Sequence, residues 1–242
     1  MKFSENNFLK KIFRTKPSPV TEKPEPIKYR KGTMEIFGMP DGGRSLDIYE
    51  KQLMFSRNEL KNKSVLDLGA GPEIKLAKEL KDAGITENVT SLSPDFSDKK
   101  YADRAKGIIS EAKLLVGVGQ ELPLKDDSFD IILALHISEH LNSKRFMMII
   151  SEMGRTLKAE GKAMIGPMHN DYWDPMKPWE PFEAIIENEE LMKRFKEWNV
   201  EVEKNMIPEE VMPKTRLMDR FDDKYFEPNF NVVLRKTKKE QN

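Results

Sequence analysis

The chain has 242 residues, 41 Lys and Arg against 41 Asp and Glu, 38% apolar residues and no cysteine. That length suits one generous domain or two small ones at roughly 100–200 residues each, and the missing cysteine excludes a disulfide framework, a thiolate metal site and a cysteine nucleophile. A net charge of zero with a pI near 6.9 argues against a globally basic nucleic-acid binder; no apolar run approaches the ~20 residues of a membrane helix and the first residues are too polar for a secretory signal, so the expected compartment is the cytoplasm.

Residues 1–31 carry nine Lys or Arg against three Glu, with Pro17, Pro19, Pro24 and Pro26 after a short apolar cluster. They read as a basic arm and a stiff linker. Phe8, Leu9, Ile12 and Phe13 fall on one face of a helix over residues 3–14, flanked by Lys10, Lys11 and Arg14. Such a helix suits weak contact with an anionic membrane surface or docking on a partner, and a short isolated one equally suits a disordered terminus. Residues 32–238 form the expected folded domain and residues 239–242 a solvated tail.

Within that domain, Ser45 is placed to cap a helix presenting Leu46, Tyr49, Leu53 and Leu60 on one face. Residues 64–68 then read as a buried strand running into Gly69-Ala70-Gly71-Pro72, and Ile74, Ala77, Leu80 and Ala83 mark a helix closed by Gly84. Val89 to Leu92 is the next strand, broken by Ser93-Pro94. A helix over 99–112, a strand at Leu114 to Val116 and the strand Phe129 to Leu135 follow. Asn142 or Ser143 caps a helix with Phe146, Ile149, Ile150 and Met153 inward, ended by a turn before Gly161, and Ala163 to Ile165 is a fifth strand. Five alternations of strand and helix predict an α/β, doubly wound, mostly parallel seven-stranded sheet with helices on both faces. A helix near 183–198 and strands at Val200 to Ile207 and Phe230 to Leu234 complete it, the last two pairing antiparallel at the sheet edge.

In an open α/β sheet the first strand-to-helix turn floors the ligand site. Gly69 and Gly71 let a backbone pass close under a ligand. A dinucleotide fingerprint wants a third glycine where Ile74 stands, which disfavours a nicotinamide dehydrogenase; a packing turn without a ligand is the plainer alternative.

Five segments together carry a resemblance: Val65-Leu66-Asp67-Leu68-Gly69-Ala70-Gly71-Pro72, Gln120-Glu121-Leu122-Pro123-Leu124, Asp127-Ser128-Phe129-Asp130-Ile131-Ile132-Leu133, His136-Ile137-Ser138-Glu139-His140-Leu141 and Leu157-Lys158-Ala159-Glu160-Gly161. In order and spacing, residues 64–167 resemble the class I S-adenosylmethionine-dependent methyltransferases, specifically the small-molecule branch akin to the ubiquinone and menaquinone methyltransferases. The resemblance implies S-adenosylmethionine as cofactor and methyl transfer to a small or lipophilic acceptor. It assigns Asp67, Gly69, Ala70 and Gly71 to the methionine portion, Ser93 to the ribose, and Val118, Gly119 and Gln120 to the adenine, with His136 beside the cofactor at the strand end. A carboxylate at Asp67 suits a cofactor with a cationic amine and sulfonium.

Three positions depart from the family: Ser93 replaces an acidic residue, leaving Asp95 to reach the ribose; Val118 replaces Asp, leaving Gln120 as the acceptor for the adenine amino group; and Glu73 replaces a glycine. They motivate the rival reading of a catalytically inactive, methyltransferase-fold binding or scaffold protein. His140 is the first candidate for a general base, with His136 and Tyr172 beside it. His136-Ile137-Ser138-Glu139-His140 also spells HxxEH, but a strand-end His136 spoils the one-helix geometry that zinc needs, so no metal is expected. Asn170-Asp171-Tyr172-Trp173 loosely matches the NPPY box of nucleic-acid amino methyltransferases, at the wrong strand. The aromatic, Pro-rich segment from His169 to Phe182 either walls a substrate pocket or pins its own loop.

Overall fold

The computed structural model describes residues 43–137, 141–168, 181–211 and 230–238. The arm and its helix over residues 3–14, His140, the stretch holding Tyr172, Trp173 and Trp179, and the tail from 239 lie outside them.

Helix α1 (Leu46–Leu53) precedes β1 (Val65–Leu68), α2 (Lys75–Asp82), β2 (Val89–Leu92), α3 (Lys99–Ile108), β3 (Lys113–Leu115), β4 (Phe129–Leu135), α4 (Ser143–Thr156) and β5 (Leu157–Met168). Helices α5 (Pro181–Ile186) and α6 (Glu189–Trp198) lead to β6 (Val200–Met206), and β7 (Phe230–Lys236) is the last strand along the chain. The seven strands lie in the order β3-β2-β1-β4-β5-β7-β6. All pairings are parallel up to β5; β7 runs antiparallel to both β5 and β6. The chain winds outward from β1 in one direction and from β4 in the other, so the crevice between those two strands' carboxyl ends is the topological switch point.

The sheet separates two cores. Leu66, Leu68, Ile132 and Ala134 pack with Phe146, Ile149, Ile150 and Met153 of α4 on one face. Val65, Ile131, Leu133 and Leu135 pack with Leu46, Tyr49, Leu53, Leu76 and Leu80 on the other. This two-sided burial is why β1 and β4 are almost unbroken apolar runs. Met147 and Met153 are buried as core filler.

Local signals overrode periodicity in four places. Helix α1 stops at Leu53 because Met54 turns left-handed at φ 57, its N–H donating to Glu50 O. Leu60 stays buried but sits in a separate 3-10 turn, Arg57–Leu60, started by a Ser56–Glu59 capping box. The single helix expected near 183–198 is two, because Asn188 accepts the Leu191 N–H at 3.0 Å and caps α6 afresh. Helix α3 ends at Ile108 rather than 112. Strand β5 begins directly after α4, and the turn expected before Gly161 lies within it, where Glu160 takes φ 65.

Candidate functional site

At the switch point the carboxyl end of β1 presents Asp67, 1% exposed. Its backbone neighbours in register are Ser91 on β2 and Leu133 on β4. The Tyr49 hydroxyl donates to Asp67 Oδ1 at 2.8 Å, and Oδ2 is buried with no hydrogen-bond partner among the described residues. Burial pushes the Asp67 carboxyl up to about 7, against the smaller lowering effects of the Tyr49 hydrogen bond and the Arg44 charge. Burial, followed by Asp67, also raises the Tyr49 phenol well above its ordinary value, so the tyrosine is the donor of the pair.

The turn after β1 is tied down by Gly69 and Ala70, whose N–H groups both donate to Leu92 O, at 2.9 and 3.2 Å. Gly69 takes φ 85 and Gly71 φ 65, values that cost an L-residue about 1–2 kcal/mol. The two glycines differ in their surroundings. A Cβ on Gly69 would lie 2.5 Å from Ile137 Cγ2, whereas a Cβ on Gly71 meets nothing within 4 Å among the described residues. Packing therefore demands Gly69, and only Gly71 opens onto free space. Ile74, fully buried just beyond, stands at φ 39, a strained setting for a β-branched residue and one that clusters at functional turns.

Ser93 ends β2 and is 2% exposed. Its Oγ accepts the Asp95 N–H at 3.2 Å, capping the turn Pro94–Ser97. The serine thus serves its own turn, and the carboxylate of this corner is Asp95, half-buried, raised chiefly by that burial and lowered less by its side-chain hydrogen bond with Ser93. Val118 and Glu121 form an isolated bridge. Between them Gly119 is pressed so close that a Cβ would lie 3.0 Å from Ile149 Cγ1 and 3.3 Å from Leu68 Cδ1. Gln120 Oε1 is buried and without a partner.

His136 leaves β4 at φ 56, so it is not part of a helix that would carry the HxxEH geometry. Its N–H donates to Gly166 O at 2.7 Å, and its Nε2 lies 2.9 Å from Gln52 Oε1. Gln52 is held in turn by Asn231 Nδ2, which donates to Gln52 O at 2.7 Å. Tyr49 and Gln52, one turn apart on α1, reach the ends of β1 and β4 respectively. Neither was marked by the sequence, which assigned that helix face to the core. Asn231, fully buried at the start of β7, was also missed; a polar residue at the head of an otherwise apolar run was its one signal. Among the described residues no group of three or more His, Asp or Glu is placed to hold a metal ion.

Residues 66–165 match the family model described as a methyltransferase domain. No curated protein matches the chain. Among solved structures, a geranyl diphosphate methyltransferase in complex with S-adenosylmethionine is similar at a TM-score of 0.50 and 14% identity, over 76% of this chain and 84% of that one. A TehB-like S-adenosylmethionine-dependent methyltransferase from Corynebacterium glutamicum gives a TM-score of 0.48 at 20% identity, covering 75% and 87%. An S-adenosylmethionine-dependent methyltransferase from Archaeoglobus fulgidus gives 0.47 at 17%, covering 80% and 100%. The sheet order and its antiparallel end are those of the class I methyltransferase fold. The match to the methyltransferase-domain model thus spans 100 of the chain's 242 residues, from β1 into β5.

The residues present suit that cofactor. A cationic amino acid end and an adenine amino group both need acceptors, and among the described residues Asp67 Oδ2 and Gln120 Oε1 are buried without partners, as are Asn231 Oδ1 and Glu183 Oε2. Buried acceptors left unpaired cost about 1–3 kcal/mol each, and a ligand that supplies donors would satisfy those of Asp67 and Gln120.

Proposed function

We propose that the chain transfers a methyl group from S-adenosylmethionine to a small or lipophilic acceptor, in the manner of the branch akin to the ubiquinone and menaquinone methyltransferases. The carrying observation is Asp67 Oδ2, a buried, partnerless carboxylate oxygen beside a glycine turn whose second glycine faces open space. In this reading Asp67, Gly69, Ala70 and Gly71 hold the methionine portion, Asp95 takes over from Ser93 at the ribose, and Val118, Gly119 and Gln120 enclose the adenine. The cofactor supplies a methyl group on a sulfonium. The protein's share is orientation and exclusion of water, with a base required only when the acceptor must lose a proton. His136, oriented through Gln52, is the described candidate for that base, with His140 and Tyr172 as the others. The basic arm over residues 3–14 is proposed to bring the domain to an anionic membrane surface, where lipophilic acceptors reside.

The test is transfer of labelled methyl from S-adenosylmethionine to a panel of hydroxylated aromatic and isoprenoid acceptors. Label entering the organic extract supports the proposal. Cofactor binding without transfer to any acceptor favours the inactive scaffold reading, which the engagement of Ser93 in its own turn keeps in play.

A further inference from the structure

The two oxygens of Asp67 have different fates. Oδ1 is held by Tyr49, and Oδ2 has nothing. Among the described residues, the groups facing this carboxylate are few. Helix α1 contributes Tyr49, the residue two before that helix is Arg44, and the flanking strands contribute Ser91 and Leu133 in register. Arg44 lowers the carboxyl less than the Tyr49 hydrogen bond does, and burial outweighs both. A carboxyl group buried this deeply keeps its proton well above the ordinary carboxyl range.

We propose that Tyr49 is a positioning residue of the cofactor site and that S-adenosylmethionine binds the ionised Asp67 held by Tyr49, so that uptake of the cofactor expels the Asp67 proton to solvent. This rests on the reading of Asp67 as acceptor for the cofactor's cationic end. The tyrosine keeps its own proton throughout and spends it on Oδ1, which leaves Oδ2 as the oxygen presented to the ligand. The ligand supplies a positive charge to Oδ2, which has no hydrogen-bond partner among the described residues.

Linkage fixes the sign. With the apo carboxyl near 7, about half a proton leaves per cofactor bound at pH 7, close to one at pH 6, and almost none at pH 9. Affinity accordingly falls about tenfold per unit as pH drops below 7, until the liganded carboxyl itself protonates. Tyr49→Phe removes a hydrogen bond that favours the ionised form, so the break in affinity should move up by about one pH unit and the proton count at pH 7 should rise toward one.

The experiment is calorimetric titration of the full chain with S-adenosylmethionine in buffers of different ionisation enthalpy, between pH 5.5 and 7, below the range of about 7.7–8.0 where an α-amino group titrates. Wild type and Tyr49→Phe are compared, with melting curves confirming that the variant folds. Proton release that grows as pH falls, and a shifted profile in Tyr49→Phe, is the expected result. Binding with no proton release overturns this inference while leaving the cofactor assignment intact; release with an unshifted Tyr49→Phe profile overturns the role of Tyr49. Absence of binding at every pH overturns the assignment of Asp67 itself, and this inference with it.

Discussion

Asp67→Asn should stabilise the apo protein at neutral and alkaline pH while abolishing cofactor binding. The folded carboxyl sits at about 7 against an ordinary value of 3.8, so the folded state retains a proton that the unfolded chain has lost across that interval. The sign follows directly: the protonated group favours folding below pH 3.8, and stability declines as pH rises, reaching a plateau above pH 7. A gap of about three units corresponds to about 4 kcal/mol at pH 8 as an upper bound. Asparagine is neutral at every pH and can still accept the Tyr49 hydrogen bond. The variant should therefore exceed wild type by about 1–4 kcal/mol at pH 8, a rise of several degrees in Tm for a domain of this size, with the difference closing toward pH 4. Urea unfolding of both proteins at pH 4.5, 6 and 8 measures this. A variant no more stable than wild type at pH 8, or a gain independent of pH, would refute the argument that Asp67 is a buried charge waiting for a cation.

Gly69→Ala should cost about 2–4 kcal/mol of stability, from its φ of 85 and the 2.5 Å approach to Ile137 Cγ2. Adding Ile137→Ala should recover part of that loss; a strictly additive double variant in denaturant unfolding would count against the contact. Gln120→Leu removes a buried acceptor that has no partner, so it should leave stability unchanged or raised by about 1 kcal/mol and weaken cofactor binding by about tenfold; equal affinity in a titration would remove Gln120 from the adenine site. Deleting residues 1–26 should leave cofactor affinity intact and abolish salt-sensitive sedimentation with anionic vesicles. A full-length chain that never sediments would end the membrane reading of the arm.

The alternation of strands and helices was legible because buried parallel strands must be continuous apolar runs and the covering helices amphipathic. Val89 to Leu92 and Phe129 to Leu135 fall where the sequence puts them, and the antiparallel β6–β7 pair followed from the absence of a crossover helix. The glycine turn was legible as a turn, but the division of labour between its glycines was not, since Ile137 lies nearly seventy residues away in sequence and only the fold brings it over Gly69. Helix α1 shows the same limit. Periodicity placed Tyr49 on the inner face with Leu46 and Leu53, and nothing local tells that the group opposite is the single carboxylate of the first strand. Gln52 and Asn231 were hidden for that reason, because their partners, His136 and Gln52, sit 84 and 179 residues away. The break at Asn188 was readable in principle from an Asn followed by two Glu, a helix-start signal that the surrounding apolar spacing masked.

The claim that the Gly69–Gly71 turn seats S-adenosylmethionine is tested most directly by calorimetric titration with S-adenosylhomocysteine at pH 8, beside NADH, in wild type and Gly71→Val. The account expects one saturable site per chain for S-adenosylhomocysteine, none for NADH, and loss of that site in Gly71→Val with an unchanged far-UV circular dichroism spectrum, since the added side chain enters space that the protein itself leaves open. Undiminished binding in folded Gly71→Val, or saturable binding of NADH in place of S-adenosylhomocysteine, would contradict it.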